Sequence, residues 1–319
     1  MNRFLLKKAV YRIAVLSLCF VMGLNVPVQA EAEEHPDRPF DFSFVWMSDT
    51  QYYSESYPEI YNSIVNWTAL HQSDQNIKYV IHTGDIVNHW NEDTQWEKAD
   101  LAMKVLDGAK IPYGVLAGNH DVGEGSRTGV NYYKWFGAGR FKKNGVFGKS
   151  YDNNKGHYDL INAGAEKLIV VYMGWGVGSK EISWMNKVLA KNKDRKAILA
   201  FHEYLLADGT RSPVADRIYK DVVVPNRNVF AVLCGHYHNS QLKVDELDDN
   251  HDGHQDRKVF QMLADYQEAR KGGEGFIRLL QFDLKQQKVF VKTYSPYLDR
   301  YNYYSPAQYP AKDEFTIDL

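Results

Sequence analysis

Cysteine is almost missing from this chain: of 319 residues, only Cys19 and Cys234 carry thiols. That excludes a disulfide framework as the source of stability, and with it a zinc site built from thiolates. Proline is sparse at 10 residues, and no repeat or low-complexity tract interrupts the chain. A dominant charge is lacking too, since 38 basic side chains stand against 40 acidic ones. This balance argues against general affinity for nucleic acid or anionic lipid. Beyond Val28 no apolar run reaches the length needed to span a bilayer.

What is present fits one large globular domain: 44% of residues are hydrophobic, and tyrosine alone occurs 22 times. The first thirty residues read differently. Arg3, Lys7, Lys8 and Arg12 precede an apolar stretch from Ile13 to Val28, and Val28-Gln29-Ala30 offers small residues for cleavage. That order is expected of a secretory signal peptide, residues 1–30, leaving a domain over 31–319 that is secreted or held at the cell envelope. Cys234 would then be the only thiol of the mature chain.

Short apolar runs rich in β-branched and aromatic residues predict buried strands at Phe42–Met47, Lys78–His82, Tyr113–Leu116, Leu168–Met173, Ala197–Phe201 and Val229–Leu233. Helices are predicted over Pro58–Gln72, Asp93–Leu106 and Lys180–Lys191, the second with a capping arrangement in Thr94-Gln95-Trp96-Glu97. Val259–Leu263, Phe276–Phe282 and Val289–Tyr294 then follow as a strand meander. An α/β layered fold whose two sheets share one core is expected. Residues 122–157 read as a long, basic, aromatic loop, and residues 245–258 as a polar insertion. The tyrosines of 294–319 are expected to pack the closing segment onto the domain.

Five of the strands run into polar clusters. They are Asp49-Thr50-Gln51, Gly84-Asp85, Gly118-Asn119-His120-Asp121, His202 and Gly235-His236-Tyr237-His238. In open α/β sheets the ligand crevice lies beyond the strands' carboxyl ends. Carboxylates, an amide oxygen and imidazoles gathered at such an edge suit Mn²⁺, Fe or Zn²⁺. A pair of such ions can clamp a phosphate and activate water.

In this order the clusters resemble the calcineurin-like metallophosphoesterase superfamily, whose pattern runs D-x-H, G-D, G-N-H-D, a lone His and G-H-x-H. The resemblance implies a four-layer α-β-β-α sandwich, two mixed β-sheets flanked by helices, with a dimetal site at the strand C-terminal edge. It implies a first metal on Asp49, Gln51, Asp85 and His238, and a second on Asp85, Asn119, His202 and His236. His120 would protonate the leaving oxygen, with Asp121 orienting it. The departure is Gln51, where the family pattern has histidine; a neutral amide oxygen is a harder and weaker ligand.

The expectation is therefore a secreted metal-dependent phosphoesterase that cleaves phosphomonoesters or phosphodiesters with metal-bound hydroxide, two divalent metals serving as cofactor and manganese favoured. A phosphorylated small molecule or an envelope component would be the substrate. The alternative is an exported binding or scaffold protein that keeps the fold while Gln51 weakens the site. Arg127, Arg140 and Tyr132 of the 122–157 loop are candidate substrate contacts. Asp248, Asn250 and Asp252 with Gly253, and Asp256 beyond, match part of a calcium loop. Val259 stands where such a loop needs a bidentate Glu, so a solvated acidic turn is expected and calcium is the alternative. His82 and His89 match no ligand position and are read as a satisfied strand-end histidine and a surface or pocket-wall residue.

Overall fold

Phe42–Met47 shows why the apolar runs are unbroken. Phe42, Phe44 and Trp46 enter one core and Val45 and Met47 another, so both faces of the strand are buried. Lys196–Phe201 repeats this, with Ile198 and Ala200 facing the core that Phe44 enters and Leu199 and Phe201 a third. Side chains that alternate between two apolar layers cannot leave a polar period of two in the sequence.

The computed structural model describes residues 39–123 and 129–319. The expected signal peptide and Arg127 lie outside the described residues. Along the chain the strands are β1 (Phe42–Met47), β2 (Ile77–His82), β3 (Tyr113–Val115), β4 (Phe147–Tyr151), β5 (Gly156–Ala163), β6 (Glu166–Met173) and β7 (Lys196–Phe201). They continue as β8 (Val229–Cys234), β9 (Asn239–Leu247), β10 (Arg257–Asp265), β11 (Ile277–Asp283), β12 (Lys288–Ser295), β13 (Arg300–Tyr301) and β14 (Glu314–Asp318). Among the described residues they form two seven-stranded sheets. One runs β13-β12-β11-β1-β2-β3 with β14 added to β12; the other runs β4-β5-β6-β7-β8-β10-β9.

Both sheets are mixed. β1, β2 and β3 are parallel while β11 joins β1 antiparallel; β6, β7, β8 and β10 are parallel while β9 is antiparallel. The helices Pro58–Leu70 and Asp93–Ala109 cover the outer face of the first sheet, and Ser179–Lys191 that of the second. Helix, sheet, sheet and helix are thus stacked as four layers, as expected. The parallel strands bring the ends of β1, β2 and β3 and those of β7 and β8 to one edge.

The stretch 122–157 is not the long loop that its glycines suggest. It contains helices over Val130–Phe136 and Ala138–Phe141, followed by β4. Tyr132 and Phe136, one turn apart, pack into the core with Phe141. The Asp93 helix also starts differently from the capping arrangement expected. Its cap position is Glu92, without a side-chain bond, and the Gln95 oxygen accepts from the backbone N–H groups of Asn88 and His89, both at 2.9 Å. At the C-terminal end Tyr303 packs on Tyr266 and Phe276.

Candidate metal and catalytic site

Three of the site residues leave their strands through tight, unusual turns. Asp49, Asp85 and His236 all have positive φ, at 53°, 51° and 73°, a conformation that costs free energy and collects at functional sites. Gly118 and Gly235 serve close approach. A Cβ on Gly118 would collide with the Asp85 carboxylate, and one on Gly235 with those of Asp49 and Ser48's hydroxyl.

Asp85, His202 and His236 come together with ligand atoms within 4.8 Å of one another. His202 Nε2 lies 3.2 Å from Asp85 Oδ2 and 3.0 Å from Asn119 Oδ1. Its Nδ1 is 2.9 Å from the Thr83 carbonyl. A carbonyl can only accept, so Nδ1 carries a proton and Nε2 is turned toward the carboxylate. The Asp49 carboxylate accepts from the His236 backbone N–H at 3.2 Å and from Ser48. Gln51 Nε2 reaches Asp85 Oδ2 at 3.5 Å. Trp175 walls the cluster, its ring 5.1 Å from that of His236 and 5.9 Å from that of His202.

His238 stands at the margin and is partly exposed. Its Nδ1 lies 2.6 Å from Glu268, and its Nε2 contacts the Gln267 amide. Gln267, Asp265 and Glu268 come from the end of β10, which the sequence reading did not connect to the site. Their signal is the same as for the other clusters: polar residues immediately after a buried strand.

The electrostatics are those of crowded, dry carboxylates. Burial, then Asp265 and Asp85, raise the Asp49 carboxyl well above its usual range. Burial likewise lifts Asp265 to about 6. Burial opposes ionisation of Asp85 also, but His202 holds it below the usual value. Burial would lower the His202 imidazole, yet Asp85 and Asp49 lift it to about 10. Burial and the neighbouring His202 push His236 down to about 4. In addition, Gln51 Oε1 is buried with no hydrogen-bond partner, which is costly unless something else meets it. Divalent cations answer both conditions, so the donor set fits a metal site.

His120 is half-buried beside this cluster. Its backbone N–H donates to Asp85 Oδ1 at 3.0 Å, and its Nδ1–H to the Asn88 carbonyl at 2.8 Å. Asn88, rather than Asp121, therefore orients the ring. The expected role of Asp121 is corrected. Its Oδ1 accepts from the N–H groups of Ile86 and Val87 at 2.8 and 3.0 Å, and its Oδ2 from Gly118 at 2.8 Å. It ties the β2 and β3 turns together.

Two of the three expected substrate contacts, Tyr132 and Arg140, are corrected as well. Tyr132 is fully buried, its hydroxyl 3.1 Å from the Asn154 carbonyl. Arg140 is held by Asp100, by Asp107 at 2.9 Å and by the Tyr113 hydroxyl at 2.5 Å, with its guanidinium over the Phe136 ring. His82 is the satisfied histidine expected, 2.9 Å from Thr50 Oγ1 and accepting from the Gly84 N–H at 3.1 Å. His89 lies at the surface, 3.3 Å from Glu55. In the acidic turn, Asp248 accepts from Asp252 and Gly253 N–H groups and Asp256 from those of Asp249 and Asn250. These carboxylates bond within their own loop.

Comparison with known proteins gives three results. The model of the calcineurin-like phosphoesterase family matches residues 42–240. The chain is 53% identical over 296 residues to YvnB, an uncharacterized protein of Bacillus subtilis, which covers 93% of this chain and 23% of that protein. It is 26% identical over 166 residues to a probable glycerophosphodiester phosphodiesterase, GpdQ, of Arcobacter nitrofigilis, covering 50% of this chain and 56% of that one. The chain thus spans about a quarter of one relative and just over half of the other. Its fold is shared with a dimetal phosphatase from Danio rerio, at TM-score 0.56 and 11% identity over 88% of this chain and 99% of that one. It is shared also with a purple acid phosphatase from yellow lupin, at TM-score 0.57 and 14% identity over 87% and 53%.

Proposed function

The chain belongs to the calcineurin-like phosphoesterase family, and from that premise we propose that it is an exported, metal-dependent hydrolase of phosphate esters. One divalent cation is assigned to Asp49, Gln51, Asp85 and His238, and a second to Asp85, Asn119, His202 and His236. The observation that carries this reading is the convergence of Asp85, His202 and His236 within 4.8 Å at the strand ends. When bound, such cations supply positive charge to the phosphate oxygens and acidity to water.

The chain's own residues supply the rest. Thr83 fixes the His202 tautomer so that Nε2 is the donor atom turned inward. Asn88 does the same for His120, which leaves Nε2 as the nitrogen able to hand a proton to the departing alkoxide oxygen. Asp121 braces the two turns that carry Asp85 and Asn119. Trp175 packs beside His236 and His202. Manganese is favoured because the donors are carboxylate and amide oxygens with imidazole and no thiolate. Export rests on the basic, apolar and small-residue order of residues 1–30. The name of the Arcobacter relative supports including phosphodiesters among the substrates.

The test is hydrolysis of chromogenic phosphomonoesters and phosphodiesters by the purified protein, metal-free and with Mn²⁺, alongside Asp85→Asn. Mn²⁺-stimulated turnover that falls to background in the variant is expected. Two bound cations with no turnover on either substrate would replace the hydrolase with the scaffold reading.

A further inference from the structure

A cavity of about 190 Å³ opens beside the site, between the turn after β6 and the turn after β7, and shares His202 with it. Met173 and Phe201, the buried last residues of those strands, line it together with the half-buried Val177 and Val214. Trp175 stands where cavity and site meet, its ring 5.1 Å from that of His236 and 5.9 Å from that of His202. The space suits one small substituent of a substrate whose phosphate lies on the site.

Three donors that could have met an anion there are committed. The backbone N–H groups of Gly174 and Trp175 donate to the carbonyls of Lys155 and Ala117 at 2.8 and 2.9 Å. His202 Nδ1 is spent on the Thr83 carbonyl. Glu203 is the one carboxylate among the lining residues. Burial, and then the Glu203 carboxylate that accepts from its hydroxyl, raise the Tyr237 phenol. Tyr237 sits between His236 and His238 in the chain, its ring 4.4 Å from that of His236. Glu203 is thus held on the side of the cavity that faces the site.

An apolar space bordered by an indole and carrying one carboxylate is complementary to a cation. The kind of cation follows from hydrogen-bond accounting. A primary ammonium brings three N–H donors. Glu203 already accepts from Tyr237, and the apolar lining would leave part of that need unmet at a cost. A quaternary ammonium has no donor to satisfy. Its methyl groups suit Met173, Val177 and Val214, and its charge suits Trp175 and Glu203. A second phosphate or a carboxylate on the substrate would instead be repelled by Glu203.

We propose that this cavity takes the quaternary ammonium end of a choline-type phosphate ester, with Glu203 and Trp175 setting the preference. The inference deepens the hydrolase reading above and rests on it.

The experiment compares three chromogenic phosphodiesters of para-nitrophenol. They are the choline ester, its uncharged isostere in which carbon replaces the nitrogen, and the ethanolamine ester. Each is offered to the Mn²⁺-loaded full-length protein as wild type, Glu203→Gln and Glu203→Lys, with circular dichroism melts to check folding. Wild type should prefer the choline ester to its isostere by about 10-fold in kcat/KM, mainly through KM, as a desolvated cation–π contact allows. Glu203→Gln should cut that to about 2-fold, the share of an exposed aromatic contact alone, and Glu203→Lys should invert it. In parallel, saturation-transfer NMR on the metal-free protein compares choline with its carbon isostere and so reads the cavity without turnover. Glycerophosphocholine and phosphatidylcholine vesicles, each followed by release of choline or phosphocholine, separate a soluble ester from a lipid headgroup.

No turnover of any ester would count against the hydrolase reading, and the NMR comparison would still decide the cavity. Choline favoured by wild type but not by Glu203→Gln upholds it; equal binding of choline and its isostere overturns it. With turnover present, equal rates on the choline ester and its isostere would overturn this proposal alone, as would a preference untouched by Glu203→Gln. Faster turnover of the ethanolamine ester would also overturn it, in favour of a hydrogen-bonded primary ammonium. Cleavage of glycerophosphocholine or of the vesicles upholds the cavity and identifies the source; cleavage of neither overturns choline as the substrate arm. Should the Glu203 variants not fold, Val214→Phe fills the same space and should abolish the preference, and a preference that survives it would overturn the proposal.

Discussion

Arg140→Ala separates a structural arginine from a phosphate-binding one. Arg140 is 13% exposed and pairs with Asp100, itself 8% exposed. It also reaches Asp107 at 2.9 Å, which is 45% exposed, and the Tyr113 hydroxyl at 2.5 Å. Stranding one partner of a buried pair costs about 3–5 kcal/mol. Two facts reduce that here. Asp100 keeps Lys104 at 2.7 Å, and the half-exposed Asp107 pair contributes under about 1 kcal/mol. Lost stacking on Phe136, 4.8 Å away, adds back roughly 0.5–1 kcal/mol. The net loss is about 2–4 kcal/mol, or roughly 4–12 °C in melting temperature for a domain of this size. Arg140→Lys should recover only part of it, because a single ammonium cannot reach all three partners. Thermal melts and steady-state kinetics on the same preparations provide the assay. A lowered melting temperature with KM unchanged is expected. An unchanged melting temperature with a raised KM for an anionic substrate would refute the reasoning and return Arg140 to the substrate rim.

Two further outcomes follow from buried charge. Burial holds the Asp159 carboxyl at about 7 against 3.8 in the free side chain. The folded state therefore keeps a proton that the unfolded state has lost between those values, and stability falls as pH rises through that window. Asp159→Asn removes the titration, so its stability relative to wild type should rise between pH 4 and pH 8 by up to about 4 kcal/mol, read from urea unfolding across pH; a flat difference would show that Asp159 is not buried as an acid. Crowding of Asp49, Asp85 and Asp265 should make the metal-free protein the less stable form. Mn²⁺ at a hundred times its dissociation constant should add about 2.7 kcal/mol per site in thermal melts, and Asp85→Asn should remove most of that gain; equal melting temperatures with and without metal would contradict the assigned site.

The β1, β2, β7 and β8 strands were legible because each is buried on both faces and reads as an unbroken apolar run. The strands that were missed are edge or near-edge strands. β9, Asn239–Leu247, alternates polar and apolar residues and is solvated along one side, so its composition resembles a loop. β5 begins with glycine and carries His157 and Asp159 into the core, residue types that a propensity reading assigns elsewhere. The helix Val130–Phe136 was hidden for a similar reason. Flanking glycines and lysines suggested a loop, while the spacing of Tyr132 and Phe136 was the signal that counted.

The site divides along the same physical line. Asp49, Asp85, Asn119, His202 and His236 were legible because they occupy the first turns after strands whose direction the apolar runs already reveal. What supports them was not legible, because the supporting atoms belong to groups with no chemical signature in a sequence. The carbonyls of Thr83 and Asn88 fix two histidine tautomers, and any residue could have supplied them. Asp121 looked like a partner for its neighbour His120 because adjacent residues suggest contact. On a one-turn helix, consecutive side chains diverge by about 100°, and the carboxylate turns back to the amides of Gly118, Ile86 and Val87 instead. Gln267 lies 216 residues from Gln51 along the chain, and only the parallel β8–β10 pairing brings its turn to the edge where Gln51 waits. Ligands set by the ends of strands can be read from local pattern. The choice of tautomer and register depends on which strands are neighbours, and that is decided by the topology.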